Sequence, residues 1–325
     1  MPERVLVTGG SGFMGTNLVQ DLVADGVEVL SLDHSPPLHP GHFKVWRDTD
    51  LLDVNALSSV FQEFKPDRVV HLAARTDLDK NTTLDDYAAN TVGTSNLLDA
   101  VEKAGTVRRL LVTSSMLVCR LGYIPGHDED YAPNTRYGES KVITEKVTRE
   151  RDISATWALL RPTTIWGPWH VRLQNEFIRV LQKGHYFHPG GKPCRRSYGF
   201  VGNSVHQIRR LLDASAEKIH RKTFYIGDPD INLVDYVNGF SRRIVGRDVR
   251  IVPYPAMKLG ALIGDLLSTL GWKGVPLTSY RLSNMTRDNV LDVSGTLDVT
   301  GQNPYSLEEG IERTMVWLET NRYTD

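Results

Sequence analysis

The segment Val7-Thr8-Gly9-Gly10-Ser11-Gly12-Phe13-Met14-Gly15 joins a short β-branched run, Arg4–Thr8, to a helical pattern over residues 12–25. Glycines are needed in such a turn when it is tight and when the backbone approaches a pyrophosphate at the helix N-terminus. Asp33 follows 18 residues after Gly15, at the end of the next apolar run. A carboxylate there accepts hydrogen bonds from an adenosine ribose and repels a 2′-phosphate. The segment therefore predicts a dinucleotide site that prefers NAD to NADP.

Short apolar runs alternate with helical stretches up to about residue 160. This alternation predicts βαβ units and an α/β fold with a doubly wound parallel sheet of the Rossmann type. The alternation of strand and helix patterns ends after residue 161. We therefore predict a dinucleotide-binding domain over 1–161, to which segments near 204–230 return. Residues 162–325 are predicted to form mostly a smaller, discontinuous C-terminal substrate domain. The predicted strands are 4–8, 27–32, 68–72, 109–113, 156–160 and 222–226, and the predicted helices are 12–25, 55–64, 83–104, 137–151, 174–183, 204–217, 233–245, 257–270 and 306–322.

Charge and composition exclude several classes of protein. The 325 residues include 38 Lys or Arg and 39 Asp or Glu, a balance that argues against non-specific nucleic-acid binding. No apolar run approaches the roughly 18 residues of a membrane span. The nearest, Met257–Leu270, contains Lys258 and Asp265 and is predicted to be an amphipathic helix whose partner or membrane-surface role stays open. The two cysteines, Cys119 and Cys194, fit a reducing compartment, so we expect a cytoplasmic protein without a metal site.

A tyrosine and a lysine one helical turn apart form the candidate catalytic pair. Tyr137 and Lys141 lie on the same face of a predicted helix, and a phenol with a pKa near 10 needs a nearby cation to act as a base. Ser115 precedes Tyr137 by 22 residues, at the end of a predicted strand, where its hydroxyl can share a proton with the tyrosine. The preceding residues, Thr113 and Ser114, are interpreted as backbone caps. We predict that Ser115, Tyr137 and Lys141 are the catalytic residues.

Two glycine registers fit the first turn, Gly10-x-Gly12-x-x-Gly15 and Gly9-x-x-Gly12-x-x-Gly15. The second register, together with the Ser-Tyr-Lys set, resembles the extended short-chain dehydrogenase/reductases, and specifically the NAD-dependent epimerase/dehydratase family acting on nucleotide sugars. The resemblance extends from residue 5 to about 317. It implies NAD as cofactor, a homodimer formed through the 83–104 and 137–151 helices, and a set of cofactor contacts. Those contacts are Gly9, Gly12, Phe13, Met14, Gly15, Asp33, Asp50, Leu51, Ala73, Asn90, Tyr137 and Lys141. His71 is interpreted as a hydrogen-bonded core residue.

The same resemblance indicates the substrate site. It implies that Arg196 grips the diphosphate of a nucleotide sugar, expected to be a UDP-sugar, and it adds Ser115, Thr164 and Asn175 as substrate contacts. A guanidinium suits a phosphate because its planar donors bind in pairs. His170 is taken as an exposed loop histidine.

Departures from the family pattern reduce the number of reactions that we expect this chain to catalyse. Met116-Leu117 replaces the Asp-Glu pair that a 4,6-dehydratase would carry, and Leu117 stands where 3,5-epimerase/reductases have cysteine. Thr164 replaces a common asparagine, and Cys119-Arg120 replaces an aromatic residue and glycine. The expected function is a nucleotide-sugar 4-epimerase. A dehydrogenase or 4-ketoreductase of a nucleotide sugar or sterol-like alcohol stays open, as does a non-catalytic NAD(P) sensor, although such sensors usually lack the tyrosine–lysine pair.

Overall fold

A parallel seven-stranded sheet forms the centre of the computed structural model, which describes residues 3–79, 81–272 and 274–321. Its strands are β1 (Arg4–Thr8), β2 (Glu28–Asp33), β3 (Trp46–Asp48), β4 (Arg68–His71), β5 (Arg109–Thr113), β6 (Thr156–Pro162) and β11 (Lys222–Ile226). The short strands outside it are β7 (Thr164–Trp166), β8 (Phe187–Pro189), β9 (Arg195–Arg196), β10 (Tyr198–Phe200), β12 (Ile231–Asn232) and β13 (Arg250–Val252). The order in the sheet is β11-β6-β5-β4-β1-β2-β3. The direction of the order reverses between β1 and β4, where doubly wound folds bind their ligands.

Helices cover both faces of the sheet. In chain order they are α1 (Phe13–Ala24), α2 (Val54–Phe64), α3 (Ala88–Ala104), α4 (Arg136–Glu150), α5 (Val171–Leu173), α6 (Arg179–Gln182), α7 (Val201–Asp213), α8 (Ala216–Ile219), α9 (Leu233–Val245), α10 (Tyr254–Thr269), α11 (Ser279–Thr286), α12 (Ser294–Thr300) and α13 (Leu307–Thr320). The doubly wound α/β fold predicted from the sequence is therefore confirmed.

Alternation within the strands divides the apolar core between the two faces. In β1, Val5 and Val7 pack with α1 and α7, whereas Leu6 packs with α2 and α3 on the other side. All three side chains are at most 1% exposed. A strand that is buried on both faces has a continuous run of apolar residues in its sequence. For this reason the short apolar runs predict a parallel sheet.

Some element boundaries differ from the predicted ones. The helix predicted over 83–104 begins only at Ala88, after a 3₁₀ turn at Asp85–Tyr87. The Asp86 carboxylate accepts from both the backbone N–H and the hydroxyl of Thr83, and such side-chain bonds compete with helical backbone bonds. The segment predicted as one helix over 174–183 consists of a π-helical turn, Gln174–Ile178, followed by α6.

The C-terminal half packs against the sheet and adds small elements beside it. Strand β11 returns to the sheet next to β6, and α13 begins with the predicted capping box of Ser306 and Glu309. The division of the chain into domains at residue 161 stays a prediction.

His71 at the end of β4 is fully buried between two threonines. Its Nδ1 lies 2.7 Å from Thr8 Oγ1 and its Nε2 lies 3.1 Å from Thr94 Oγ1. Thr94 Oγ1 also donates to the Asn90 carbonyl, so it accepts from Nε2–H, and Nδ1 is the acceptor for Thr8. Burial lowers the His71 pKa to about 3, with the charge of Lys141 acting in the same direction. The interpretation of His71 as a core residue is confirmed.

Neutral His71 makes the stability of the fold depend on pH. The unfolded chain binds a proton near pH 6.5 and the folded chain only near pH 3, so the free energy of unfolding decreases as the pH falls through this window. Between pH 6.5 and 5 the loss from this group is about 2 kcal/mol. The free energy of unfolding is measured by chemical denaturation at pH 6.5 and at pH 5. We expect the difference between the two values to be smaller in His71→Gln than in wild type, by about 2 kcal/mol. Exposed His127→Gln is the control, and equal pH dependence in wild type and His71→Gln would contradict the prediction.

Candidate active site

The glycine turn between β1 and α1 allows close approaches of the backbone. Gly9 has φ +72°, and a Cβ added there would lie 2.5 Å from the Ala73 nitrogen. A Cβ on Gly15 would lie 2.0 Å from the Gly9 carbonyl oxygen. Because the N-cap of α1 is Gly12, which offers no side-chain cap, and the first turn of the helix has no acidic residue, its N-terminal N–H groups suit an anion. The turn therefore fits a dinucleotide pyrophosphate, in the register Gly9-x-x-Gly12-x-x-Gly15.

Asp33 stands at the end of β2, beside that turn. Its carboxylate accepts hydrogen bonds from the backbone N–H of Ser11, at 3.1 Å, and of Ser35, at 3.0 Å. The side chain is 11% exposed. Asp33 thus holds the glycine turn as well as standing where the sequence predicts the adenosine ribose.

The other predicted cofactor residues divide into two groups. Gly9, Gly12, Phe13, Met14, Gly15, Tyr137 and Lys141 line one cavity of about 500 Å³. Asp33, Asp50, Leu51, Ala73 and Asn90 stand outside its lining. Among these, Asp50 is exposed, Leu51 belongs to the core beneath α3, and Ala73 abuts Gly9.

Asn90 joins a loop to α4, the helix that carries Tyr137 and Lys141. Its side-chain oxygen accepts from Arg75 N–H at 2.8 Å, and its amide donates to Arg75 O and to Ser140 Oγ. The side chain is fully buried, so all its contacts are with protein. Asn90 supports this cavity indirectly, by fixing the strand-end loop against α4.

The three predicted catalytic residues meet at the ends of β5 and α4. Ser115, Tyr137 and Lys141 line the same cavity. Burial raises the pKa of Tyr137 to about 12; a hydrogen bond with Ser115 opposes that shift, whereas Tyr87 adds to it. The Ser115 hydroxyl also accepts from the backbone N–H of Leu117 at 3.1 Å. Strand β5 and helix α4 thus bring the serine and the tyrosine together.

Lys141 is buried and has a low pKa. Its Nζ donates to the carbonyl oxygen of Thr113 at 2.8 Å. Burial lowers its pKa to about 7, against the opposing charge of Glu145. The sequence predicts that Lys141 lowers the pKa of Tyr137; in the structure, burial of the phenol outweighs any such effect.

Glu145, one further turn along α4, is the centre of a buried polar cluster that the sequence analysis missed. Arg161 donates to both of its oxygens, at 2.7 and 2.8 Å, and both side chains are at most 1% exposed. Ser114 and Tyr131 donate to the same carboxylate, at 2.6 and 3.0 Å. Burial alone would lower the pKa of Arg161, but Glu145 outweighs it and raises that pKa. The interpretation of Ser114 as a backbone cap is wrong, because its hydroxyl donates to Glu145.

Tyr137 stands between two cavities. It lines the cavity of about 500 Å³ with the glycine turn and Lys141, and it also lines a larger one of about 950 Å³. The larger cavity contains two of the predicted substrate residues, Thr164 and Arg196. The phenol therefore faces both the predicted cofactor side and the predicted substrate side of the site.

The larger cavity is rich in arginine. Arg120, Arg136, Arg196 and Arg287 line it, with Asp79 and Glu139 as its acidic residues. Arg136 is paired with Glu139 at 2.7 Å. Arg196 is 6% exposed and donates to the Asn284 carbonyl, while its buried Nε has no partner within the described residues. A buried guanidinium with a spare donor beside a cavity fits a diphosphate.

His170 and Asn175 both follow strand β7. His170, taken as an exposed loop residue, is half-buried, lines the smaller cavity and stacks on Phe13 with ring centroids 4.5 Å apart. That interpretation is wrong, because the loop after β7 folds over the start of α1. The side chain of Asn175 lies outside the described residues.

We expect Gly15→Ala to weaken NAD binding by roughly tenfold or more, because the added Cβ forces the turn to move. The measurement is a titration with NADH followed by fluorescence, with thermal unfolding as a check of the fold. Gly295→Ala is the control, since a Cβ there meets nothing within 4 Å. Unchanged NADH affinity in Gly15→Ala would show that the turn does not hold the dinucleotide.

Asp33→Asn should reduce the preference for NAD over NADP by roughly tenfold, because it removes the charge that repels a 2′-phosphate. Asp48→Asn makes the same change of charge at the exposed end of the neighbouring strand β3 and should leave the preference unchanged. The measurement is a binding titration of each variant with NAD and with NADP. If the two variants behave alike, Asp33 is not the residue that discriminates.

Comparison with known proteins gives the family. The sequence profile of the NAD dependent epimerase/dehydratase family matches residues 5–227. The chain is 29% identical to an N-acetyl-alpha-D-glucosaminyl-diphospho-ditrans,octacis-undecaprenol 4-epimerase of Escherichia coli O157:H7, covering 97% of this chain and 95% of that one. It is 32% identical to a 3 beta-hydroxysteroid dehydrogenase/Delta 5-->4-isomerase of Mycobacterium tuberculosis, over 62% of this chain and 58% of that one.

Solved structures share the fold. The UDP-glucose 4-epimerase of Thermus thermophilus in complex with NAD superposes with a TM-score of 0.71 at 21% identity, covering 98% of this chain and 99% of that one. With two thirds of the sequence matched by the family profile, the chain belongs to the NAD-dependent epimerase/dehydratase family, as an enzyme of the extended short-chain dehydrogenase/reductase type.

Proposed function

We propose that the protein is a 4-epimerase of a diphosphate-linked sugar, working by transient oxidation to a 4-keto sugar with Ser115, Tyr137 and Lys141. The observation that carries the proposal is the position of Tyr137, which lines both the cavity with the glycine turn and the cavity with the arginines. One phenol can therefore serve a substrate hydroxyl on one side while a dinucleotide occupies the other.

Each residue has a chemical role in this proposal. Tyr137 takes the proton of the sugar 4-hydroxyl and returns it after the carbon is reduced on its opposite face. Bound NAD supplies the hydride acceptor and donor. Because the pKa of Tyr137 is about 12, the phenolate needs stabilisation, which the Ser115 hydroxyl and the positive charge of Lys141 provide. The same proton thus passes from the sugar oxygen to the Tyr137 phenolate and back again in one cycle.

The cavity supports epimerisation over dehydration. Met116 and Leu117 line the larger cavity in place of acidic side chains, so no group at these positions can assist an elimination. A volume of about 950 Å³ gives a 4-keto sugar room to turn over while Arg196 grips its diphosphate. The Escherichia coli and Thermus thermophilus relatives are named 4-epimerases, which favours the same outcome here.

A second candidate is a dehydrogenase that releases its ketone. The Mycobacterium tuberculosis steroid dehydrogenase relative favours it, and the same three residues would catalyse the oxidation. The two candidates differ in their net redox change, since epimerisation regenerates NAD and dehydrogenation accumulates NADH.

We also propose a homodimer formed through α3 and α4, and a cytoplasmic location. Val92 on α3 is 52% exposed, and burying it against a partner helix would be favourable. Within the described residues, no helix is long and apolar enough to cross a membrane.

Incubation with UDP-, dTDP- and GDP-sugars tests the proposed function, with sugar inversion and NADH absorbance followed together. Inversion without net NADH supports the epimerase, and stoichiometric NADH supports the dehydrogenase. Tyr137→Phe should lower turnover by roughly a hundredfold or more, because it removes the proton carrier, while NADH titration stays near wild type. Tyr123→Phe, whose hydroxyl donates to Asp130, is the control. Near-wild-type turnover in Tyr137→Phe would overturn the catalytic assignment.

A further inference from the structure

Helix α10 has apolar residues on two opposite faces. At 3.6 residues per turn, Met257, Ala261 and Gly264 share one side of the helix. The opposite side carries a stripe at positions i, i+3, i+4, i+7 and i+11, about 100° wide. We call it the α10 stripe; its members are Leu259, Leu262, Ile263, Leu266 and Leu270.

The first face attaches α10 to the protein. Met257 and Ala261 form a small buried cluster with Leu282 of α11. Gly264 allows a close approach, since a Cβ there would lie 1.8 Å from the Leu277 carbonyl oxygen. The packing needs of the helix are met on this side, so the stripe does not serve the fold.

The α10 stripe is open to solvent. The exposed fractions are 62% for Leu259, 54% for Leu262, 52% for Ile263, 60% for Leu266 and 69% for Leu270, and Trp272 just beyond is 67% exposed. Single exposed apolar residues are ordinary, but a contiguous row of this length marks an interaction surface.

The charge around the stripe identifies its partner. Residues 250–287 contain five cationic residues and one acidic residue in a protein of net charge −1. The acidic one, Asp265, accepts from the backbone N–H of Ser279 at 3.0 Å. Within the described part of the chain, no ion pair engages Arg250, Lys258, Arg281 or Arg287. The cationic residues of the segment are Arg250, Lys258, Lys273, Arg281 and Arg287.

Helix α10 is connected to the substrate cavity through α11. Helix α11 packs on the face of α10 opposite the stripe, and Tyr280, Ser283 and Asn284 of α11, with Arg287 just after it, form part of the wall of the larger cavity. Tyr280 is 70% exposed, so the mouth of the cavity opens near the helical pair.

We propose that the α10 stripe lies on the surface of an anionic lipid bilayer and that the cavity receives a sugar diphosphate carried on a membrane lipid. A helix of 16 residues is too short to span a bilayer, but an apolar stripe with cationic flanks and an edge tryptophan is typical of an interfacial helix. The first part stands on the stripe alone; the second part rests on the proposed function.

Charge favours a bilayer over a second copy of the chain. Pairing two such stripes would bring two strongly cationic segments together, and like charges repel. An anionic surface instead attracts the same residues, by about 1 kcal/mol for each cation near it. The diphosphate of a lipid-linked sugar lies at headgroup depth, and the arginines of the cavity are the groups proposed to bind it.

Vesicle sedimentation tests the docking surface. The protein is mixed with vesicles of phosphatidylcholine alone or of equal parts phosphatidylcholine and phosphatidylglycerol. We expect binding to the anionic vesicles that weakens at high salt, and a roughly tenfold or greater loss of binding in the double variant Leu262→Gln, Leu266→Gln. The matched control, Ile124→Gln with Val316→Gln, changes two residues that are 84% and 52% exposed elsewhere and should bind like wild type.

The alternatives give distinct results. Equal vesicle binding by the two double variants, or none by wild type, overturns the docking surface. If sedimentation velocity shows a wild-type dimer that only the stripe variant dissociates, the stripe is an interface between copies and the proposal is wrong.

A separate activity assay tests whether the substrate is a lipid-linked sugar diphosphate. A lipid-linked sugar diphosphate in anionic vesicles should be epimerised by wild type and at least roughly tenfold more slowly by the stripe variant, while both should turn over a UDP-sugar in solution alike. If wild type turns over the UDP-sugar but not the lipid-linked sugar, the proposal of a lipid-linked substrate is wrong. Turnover of neither by wild type overturns the proposed function, and vesicle binding is judged without it.

Discussion

The carboxylate of Glu145 is the contact on which the geometry of the site depends. It accepts from Arg161 on β6, from Ser114 at the end of β5 and from Tyr131, and it belongs to α4 itself. Tyr137 and Lys141 lie on the same face of α4, two turns and one turn before it, so whatever fixes Glu145 also fixes them. A buried pair of this kind is weak evidence of stability, because desolvation offsets much of its attraction. Its directional bonds instead select one position of the helix against two strand ends.

The same cluster limits the fall in the pKa of Lys141. Burial lowers the pKa of Lys141 to about 7, and Glu145 opposes that shift from the next turn of the helix. Without a carboxylate there, the pKa of Lys141 would fall further and the ammonium would lose its proton more readily. Burial therefore acts in opposite directions on the two members of the pair: it raises the pKa of Tyr137 and lowers that of Lys141. Such separated pKa values are typical of groups that exchange protons during a reaction.

Local spacing carried most of what could be predicted from the sequence. The glycine turn is a single short segment, the Tyr137–Lys141 pair spans one helical turn, and Asp33 stands at the end of the next apolar run. The sheet follows from short runs buried on both faces. The predictions failed where side chains from distant segments compete. Ser114 binds Glu145, 31 residues later, although a strand-end serine usually caps backbone. Arg287 reaches the cavity from α11, some 150 residues after Tyr137, and no local pattern announces such a contact. The exposed position predicted for His170 is wrong for the same reason, since its stacking partner Phe13 is distant in the sequence although the two rings are in contact.

The amphipathic pattern of residues 257–270 shows a different limit. Periodicity predicts a helix, but it cannot say which side is covered when two opposite sides are apolar. Only the packing of Met257 and Ala261 against Leu282 leaves Leu262 and Leu266 uncovered. Net charge conceals a similar asymmetry. A chain of net charge −1 contains a 38-residue segment, 250–287, with four more positive than negative charges, and the apolar stripe belongs to this segment. Because apolar burial and electrostatic attraction then act on the same surface, a membrane partner gains from both at once, whereas a soluble partner would need a matching apolar and acidic surface.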